Sequence, residues 1–170
     1  RVADRLGYEF SDRQVTILWH GLAGSRNEQL ESWGIDPDRF WPLYHEIEDA
    51  EARAAASYLY EDAHTLLSVI DGPIGIVTHS QPHLAERTLE RVDLREDIDT
   101  LVCCDEDLGW KPDPAPVRRA MADLGVDGDG QAGVLVGDSP QDIGAAHNAG
   151  LDGIHVDRFG AGVRPGAIDS

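Results

Sequence analysis

Lysine is almost absent from this chain: of 14 lysine and arginine residues, the only lysine is Lys111, against 32 aspartates and glutamates. Basic patches are also missing, and the formal net charge of −18 argues against a nucleic acid or an anionic membrane as partner, since both are held by clustered cations. No apolar run approaches the roughly 18 residues that a bilayer-spanning helix needs, and no charged-then-apolar segment opens the sequence. The expected compartment is therefore cytoplasmic. The two cysteines, Cys103 and Cys104, are adjacent, which disfavours a structural disulfide and suits a reducing environment. Internal repeats and low-complexity stretches are lacking too.

What remains has the profile of a globular chain: 170 residues, 41% hydrophobic, enough for one core with a small second lobe. Its carboxylates are spread along the whole length with arginine in place of surface lysine, the pattern of a salt-adapted, halophilic surface rather than of an acidic tail. At molar salt the Debye length shrinks to about 3 Å, so such a surface does not repel an anionic substrate at long range.

Residues 1 to about 70 carry helical signals, with Val15-Thr16-Ile17-Leu18 as a short, ambiguous strand candidate. Phe40, Leu43, Tyr44 and Ile47 recur at helical spacing and lead into Glu- and Ala-rich sequence through Ala56, which predicts one amphipathic helix. A shorter helix is expected from Glu61 to Ile70. The pattern then changes. Apolar runs at Ile74 to Val77, Leu101 to Cys104, Val134 to Val136 and Gly153 to Val156 alternate with helical segments near 82–92, 114–124 and 140–149. That β-α-β-α-β-α-β order predicts a parallel sheet covered by helices. Asp113 before Pro114 and Ser139 before Pro140 are start signals, Gly125 and Gly150 are stop signals, and Asp127 to Gly130 reads as a turn.

Ligands of open parallel sheets bind at the carboxyl ends of the strands. Thr78 follows the first run, Lys111 lies in the loop after the second, and Asp138 follows the third. A hydroxyl, an ammonium and a carboxylate at three strand ends can hold a phosphate and a metal ion. A lysine ammonium is a compact charge suited to a phosphate oxygen, and Lys111 sits between Trp110 and Pro112. Asp142 shares the chemistry of Asp138, and Ser139-x-x-Asp142 also has the spacing of a helix capping box. His79 and Ser80 follow Thr78 at a helix start where backbone N–H groups could meet phosphate. His20 to Ser25 forms a Gly-rich turn that could approach substrate.

The sequences Ile76-Val77-Thr78-His79-Ser80, Lys111-Pro112-Asp113-Pro114 and Gly137-Asp138-Ser139-Pro140-Gln141-Asp142 resemble, in order and spacing, the second, third and fourth motifs of the haloacid dehalogenase-like (HAD) hydrolases. The resemblance covers roughly residues 60–157. It implies an α/β fold, a Rossmann-like parallel sheet with a helical cap, the cap filling residues 1–58 and the core 59–170, both partial. It further implies a Mg²⁺-dependent hydrolase of small phosphate monoesters from the phosphoglycolate phosphatase-like branch, acting on a small phosphorylated metabolite. In that family the residue at Thr78 bonds the transferring phosphoryl group, the one at Lys111 offsets charge on nucleophile and phosphate, and those at Asp138 and Asp142 hold Mg²⁺. His79 is taken with Thr78 and Lys111 as substrate-binding.

The family's first motif, a strand ending in DxDxT that supplies the attacking aspartate, is not found here. The expectation is thus a fragment beginning just after that motif, with its central strand missing and an aspartyl-phosphate mechanism whose nucleophile lies upstream. Asp105-Glu106-Asp107 also ends a strand in DxD, but Gly109 stands where the hydroxyl residue belongs, so these are read as loop carboxylates. Two alternatives are a non-catalytic phosphate- or metal-binding module and a 2-haloacid dehalogenase, the latter disfavoured because that branch lacks Gly137-Asp138-Ser139.

Overall fold

Ser11 and Gln14 settle the first ambiguity. The Ser11 N–H donates to Gln14 Oε1 at 2.9 Å and the Gln14 N–H to Ser11 Oγ at 3.3 Å, a reciprocal cap that starts a helix. Val15 to Leu18 therefore lie inside a helix and not in a strand: local capping outweighs the β-preference of three branched residues. In the computed structural model, which describes residues 1–20, 25–126 and 133–157, the chain divides into two compact units that meet in sequence at Glu48 and Asp49. The expected turns at His20 to Ser25 and Asp127 to Gly130 fall wholly or largely outside the described residues.

The first unit holds α1 (Val2–Leu6), α2 (Asp12–His20), α3 (Arg26–Ser32) and α4 (Pro37–Ile47). Asp36 caps α4 by accepting from the Asp38 N–H at 3.0 Å, with Pro37 at the first helical position. Its core is Leu30, Ile35 and Phe40, ringed by aromatics: Phe40 packs edge-on against Phe10 and Trp41. Each such aromatic pair contributes about 1 kcal/mol beyond its buried area.

The helix expected to run on through Ala56 is broken. Glu48 is extended, and Asp49 restarts the chain by accepting from the N–H groups of Glu51 and Ala52 through Oδ1 at 3.0 and 3.1 Å. A short polar side chain that bonds its neighbours' N–H groups competes with helix continuation, which is why periodicity alone missed the break.

The second unit holds α5 (Ala50–Ala55), α6 (Glu61–Leu67), β1 (Gly75–Thr78), α7 (Pro82–Arg91), β2 (Thr100–Cys103), α8 (Ala115–Asp123), β3 (Val134–Gly137), α9 (Pro140–Ala149) and β4 (Asp152–His155). Strand and helix alternate as the apolar runs predict. The strands pair in parallel, β1 with β2 (Thr78 opposite Cys103) and β3 with β4 (Gly137 opposite His155). Among the described residues no ladder joins the two pairs. Leu84 and Leu89 of α7, Val102 of β2, Val117 and Ala120 of α8, and Ala145 and Ala146 of α9 are buried.

Gly125 and Gly150, at φ +69° and +88°, terminate α8 and α9 in the left-handed region that a side chain disfavours. Among the described residues, no helix is long and apolar enough to cross a membrane.

Candidate active site

All four strands are parallel within their pairs, so the loops leaving β1, β2 and β3 start at carboxyl ends. Those loops carry His79, Lys111 and Asp138, while Thr78 is the last residue of β1 and Asp142 lies in the first turn of α9. The side chain of Lys111, 13% exposed, donates from Nζ to the Val77 carbonyl of β1 at 2.9 Å and pairs with Asp142 Oδ1 at 2.6 Å. A residue from the β2 loop thus joins the end of β1 to the start of α9 behind β3. This is not the geometry of a solvated surface lysine.

Asp142 is itself fixed from both sides. Its Oδ2 accepts the Ser139 N–H at 3.0 Å, while Ser139 Oγ accepts the Gln141 N–H at 3.2 Å, completing the capping box that the spacing suggested. The carboxylate is 9% exposed and both oxygens have partners. Gly137 explains how β3 passes so close. A Cβ there would overlap the Cβ, Cγ and Oδ2 of Asp142, so any side chain displaces the carboxylate that holds Lys111.

Thr78 ends β1, and its Oγ1 accepts the Ser80 N–H at 3.0 Å, a bond that uses the hydroxyl as acceptor and leaves its donor capacity unspent by that contact. Asp138 follows β3 as an exposed residue, and its carbonyl lies 3.3 Å from His155 Nε2. The His79 ring is turned onto the lysine loop: Nε2 accepts the Lys111 backbone N–H at 3.1 Å, and the ring meets Trp110 edge-on at 5.2 Å. The structure therefore brings His79, Lys111 and Asp142 together through direct contacts, with Thr78 beside them in the chain between Val77 and His79, and places Asp138 one residue beyond the glycine that packs on Asp142.

Sequence reasoning missed what holds the lysine loop on its far flank. Asn148 Nδ2 of α9 donates to the Pro112 carbonyl at 3.0 Å, and a Cβ on Gly144 would come within 2.9 Å of the Pro112 ring. Arg118 of α8 in turn donates to the Asn148 carbonyl at 2.9 Å. The Lys111–Pro112 peptide is cis. Two residues four apart on one face of α9 point to a docking edge, but nothing in the sequence says what docks there.

Of the rival carboxylates, Asp105 is tied into its own turn. Asp105 Oδ1 accepts the N–H groups of Asp107 and Leu108 at 3.0 and 2.8 Å, closing a turn whose ends bridge at Asp105 and Gly109. Both cysteines are free, and burial pushes both thiols up, Cys104 in spite of the nearby Lys111 backbone and charge. A thiol held protonated is a poor nucleophile, so neither is a candidate for covalent chemistry.

The profile of the haloacid dehalogenase-like hydrolases matches residues 23–156. The chain belongs to that family. Among curated HAD relatives it is 36% identical over 100 residues to a phosphoglycolate phosphatase of Rhodospirillum rubrum, covering 57% of this chain and 41% of that protein. It is 33% identical over 134 residues to an N-acetylmuramic acid 6-phosphate phosphatase of Pseudomonas aeruginosa, covering 75% and 58%. The chain thus spans about half the length of these relatives. Among solved structures, a haloacid dehalogenase-like hydrolase from Streptococcus pneumoniae superposes with a TM-score of 0.69 at 15% identity, covering 92% of this chain and 73% of that one. A Rhodobacter sphaeroides protein solved with xylulose-(1,5)-bisphosphate superposes at 0.67 with 20% identity, covering 93% and 76%. At such identities the superpositions establish the shared α/β fold and nothing finer.

Proposed function

We propose that the whole protein is a hydrolase of small phosphate monoesters that works with Mg²⁺ in the cytoplasm, its substrate a small phosphorylated metabolite of the kind its curated relatives are named for. The observation that carries this reading is the Lys111 ammonium, largely withdrawn from water and fixed by Val77 and Asp142 where three motif-bearing loops meet. A partly buried cation with a single counter-charge retains attraction for a second anion, and a phosphoryl group is the anion that the hydroxyl of Thr78, next in the chain to Val77, also suits.

The donor set fits magnesium. Its members on this chain are the carboxylates of Asp138 and Asp142. Mg²⁺ takes one or two carboxylates and keeps several waters. Asp138 would be the direct ligand, with Asp142, whose oxygens already serve Lys111 and Ser139, contributing through water. Held by these two carboxylates, the ion would supply positive charge to offset the phosphate during attack by a carboxylate nucleophile, the route that the family resemblance implies.

The chain's own residues then have distinct tasks. Thr78 donates to a non-bridging phosphate oxygen, Lys111 offsets charge on phosphate and nucleophile, and Asp142 keeps that lysine aimed. Asp105, tied into its own turn, takes no part.

Phosphate release from p-nitrophenyl phosphate and phosphoglycolate by the whole protein tests this directly. Activity is expected with Mg²⁺, to disappear with EDTA and to return with added Mg²⁺, while Asp105→Asn stays within about twofold of the parent, as a surface-turn change should. EDTA-resistant turnover, or its loss in Asp105→Asn, contradicts the assignment.

We also propose that the net charge of −18 is an adaptation to salt. Raising KCl from about 0.1 M to about 1 M shortens the screening length from about 10 Å to about 3 Å and should raise the melting temperature. An unchanged or lower melting temperature removes the proposal.

A further inference from the structure

Lys111 is held not only by its ammonium but also by its backbone, and the two grips come from different elements. On one flank, at the end of β1, His79 Nε2 accepts the Lys111 N–H at 3.1 Å. On the other, Asn148 of α9 donates to the carbonyl of the next residue, Pro112, at 3.0 Å, beside a Gly144 whose missing Cβ leaves room for the proline ring. Because the backbone donates, the histidine must present an unprotonated Nε2 and carry its proton on Nδ1. That task differs from binding substrate. A ring nitrogen committed to a backbone N–H sets where the loop sits and is not offered to a phosphate oxygen.

We infer that His79 and Asn148 are positioning residues: a two-sided clamp on the backbone of Lys111 and Pro112 that sets how far the Lys111 ammonium reaches across the strand ends. The inference rests on the phosphate-site reading above and adds residues to it. Its physical basis is the sensitivity of electrostatic catalysis to placement. An ammonium whose backbone is gripped at its own N–H and at the carbonyl of the next residue cannot follow the substrate, so its backbone position decides the distance at the reacting centre.

His79→Phe retains a ring against Trp110 and removes the acceptor; His79→Gln restores an acceptor at about the reach of Nε2. In the whole protein, His79→Phe is expected to lower kcat by about tenfold to a hundredfold with little change in KM, the size of effect that misplacing a reacting group produces. His79→Gln should recover most of the loss. Placed on Lys111→Met, His79→Phe should cost nothing further, because a clamp acts only through the residue it holds.

A readout independent of turnover is the rate of reductive methylation at Lys111, followed by peptide mass spectrometry. It should rise by about threefold or more in His79→Phe as the loop opens locally. Asn148→Asp, which keeps the shape but replaces the donor with an acceptor, should move both readouts in the same direction. It also serves if His79→Phe does not fold.

A raised KM with kcat unchanged, additive losses on the Lys111→Met background, or an unaltered methylation rate in both variants overturns the clamp. If instead Lys111→Met itself retains full turnover, the phosphate-site reading fails and the clamp fails with it. The two failures are therefore told apart by that one variant.

Discussion

Replacing Lys111 by methionine is expected to lower turnover of a phosphate monoester by about a hundredfold or more, the range seen when one preorganised charge or donor is removed from a transition state. Methionine keeps the apolar stem in place and deletes only the ammonium, so the loss reports charge. Two unit charges 4 Å apart interact by about 4 kcal/mol at an effective dielectric of 20, and the parent site sets one cation against Asp142 and an incoming phosphate. Without it those anions face each other with only a metal ion to offset them. Steady-state kinetics on the whole protein, with circular dichroism to verify folding, makes the measurement. An exposed, merely solvating lysine would give a change within about twofold.

Removing the partner has its largest consequence in stability. Asp142→Ala leaves the Lys111 ammonium, 13% exposed, without its counter-charge, and breaking such a withdrawn pair from one side costs about 3–5 kcal/mol. It also strips the Ser139 N–H of its acceptor at the start of α9, a capping loss of about 1 kcal/mol. Against a total stability of about 5–15 kcal/mol this is a large fraction. Urea unfolding should show it as a lower midpoint, with the double variant Asp142→Ala, Lys111→Met regaining part of the loss because no unpaired charge is left behind. A loss below about 1 kcal/mol, or no recovery in the double variant, would mean that the pair behaves as a surface salt bridge.

The strand and helix succession from residue 74 onward was legible because each element announces itself locally. Short apolar runs bounded by turn residues lead into Pro-started helices, and the observed bounds at β1, β2, β3 and α9 lie within about a residue of those read from the pattern. Lys111, Asp138 and Thr78 were legible as strand-end residues for the same reason. The capping box at Ser139 and Asp142 was read from its spacing, whereas its second use, as the anchor of Lys111, was not. That link joins residues 31 positions apart and depends on β3 passing close enough for Gly137 to lie against the carboxylate.

Elsewhere, local rules competed. At Val15 to Leu18 branched residues argued for a strand and the Ser11–Gln14 cap decided for a helix. At Asp49 the periodic pattern continued while a side-chain cap restarted the chain. His79 was visible as a residue beside Thr78, but its ring orientation is a tertiary fact, set by Trp110 and the Lys111 N–H arriving from another loop. Asn148 and Gly144 were hidden for the same reason, since their partner Pro112 is more than 30 residues away.

The central claim is that the Lys111 ammonium is held at a phosphate site, and chemical labelling of that one amine addresses it most directly. Peptide mass spectrometry of the reductively methylated whole protein should find Lys111 modified much more slowly in the folded than in the urea-unfolded state, and more slowly still when inorganic phosphate and Mg²⁺ are added together. Labelling of folded Lys111 at the unfolded rate, indifferent to phosphate and Mg²⁺, would contradict the account.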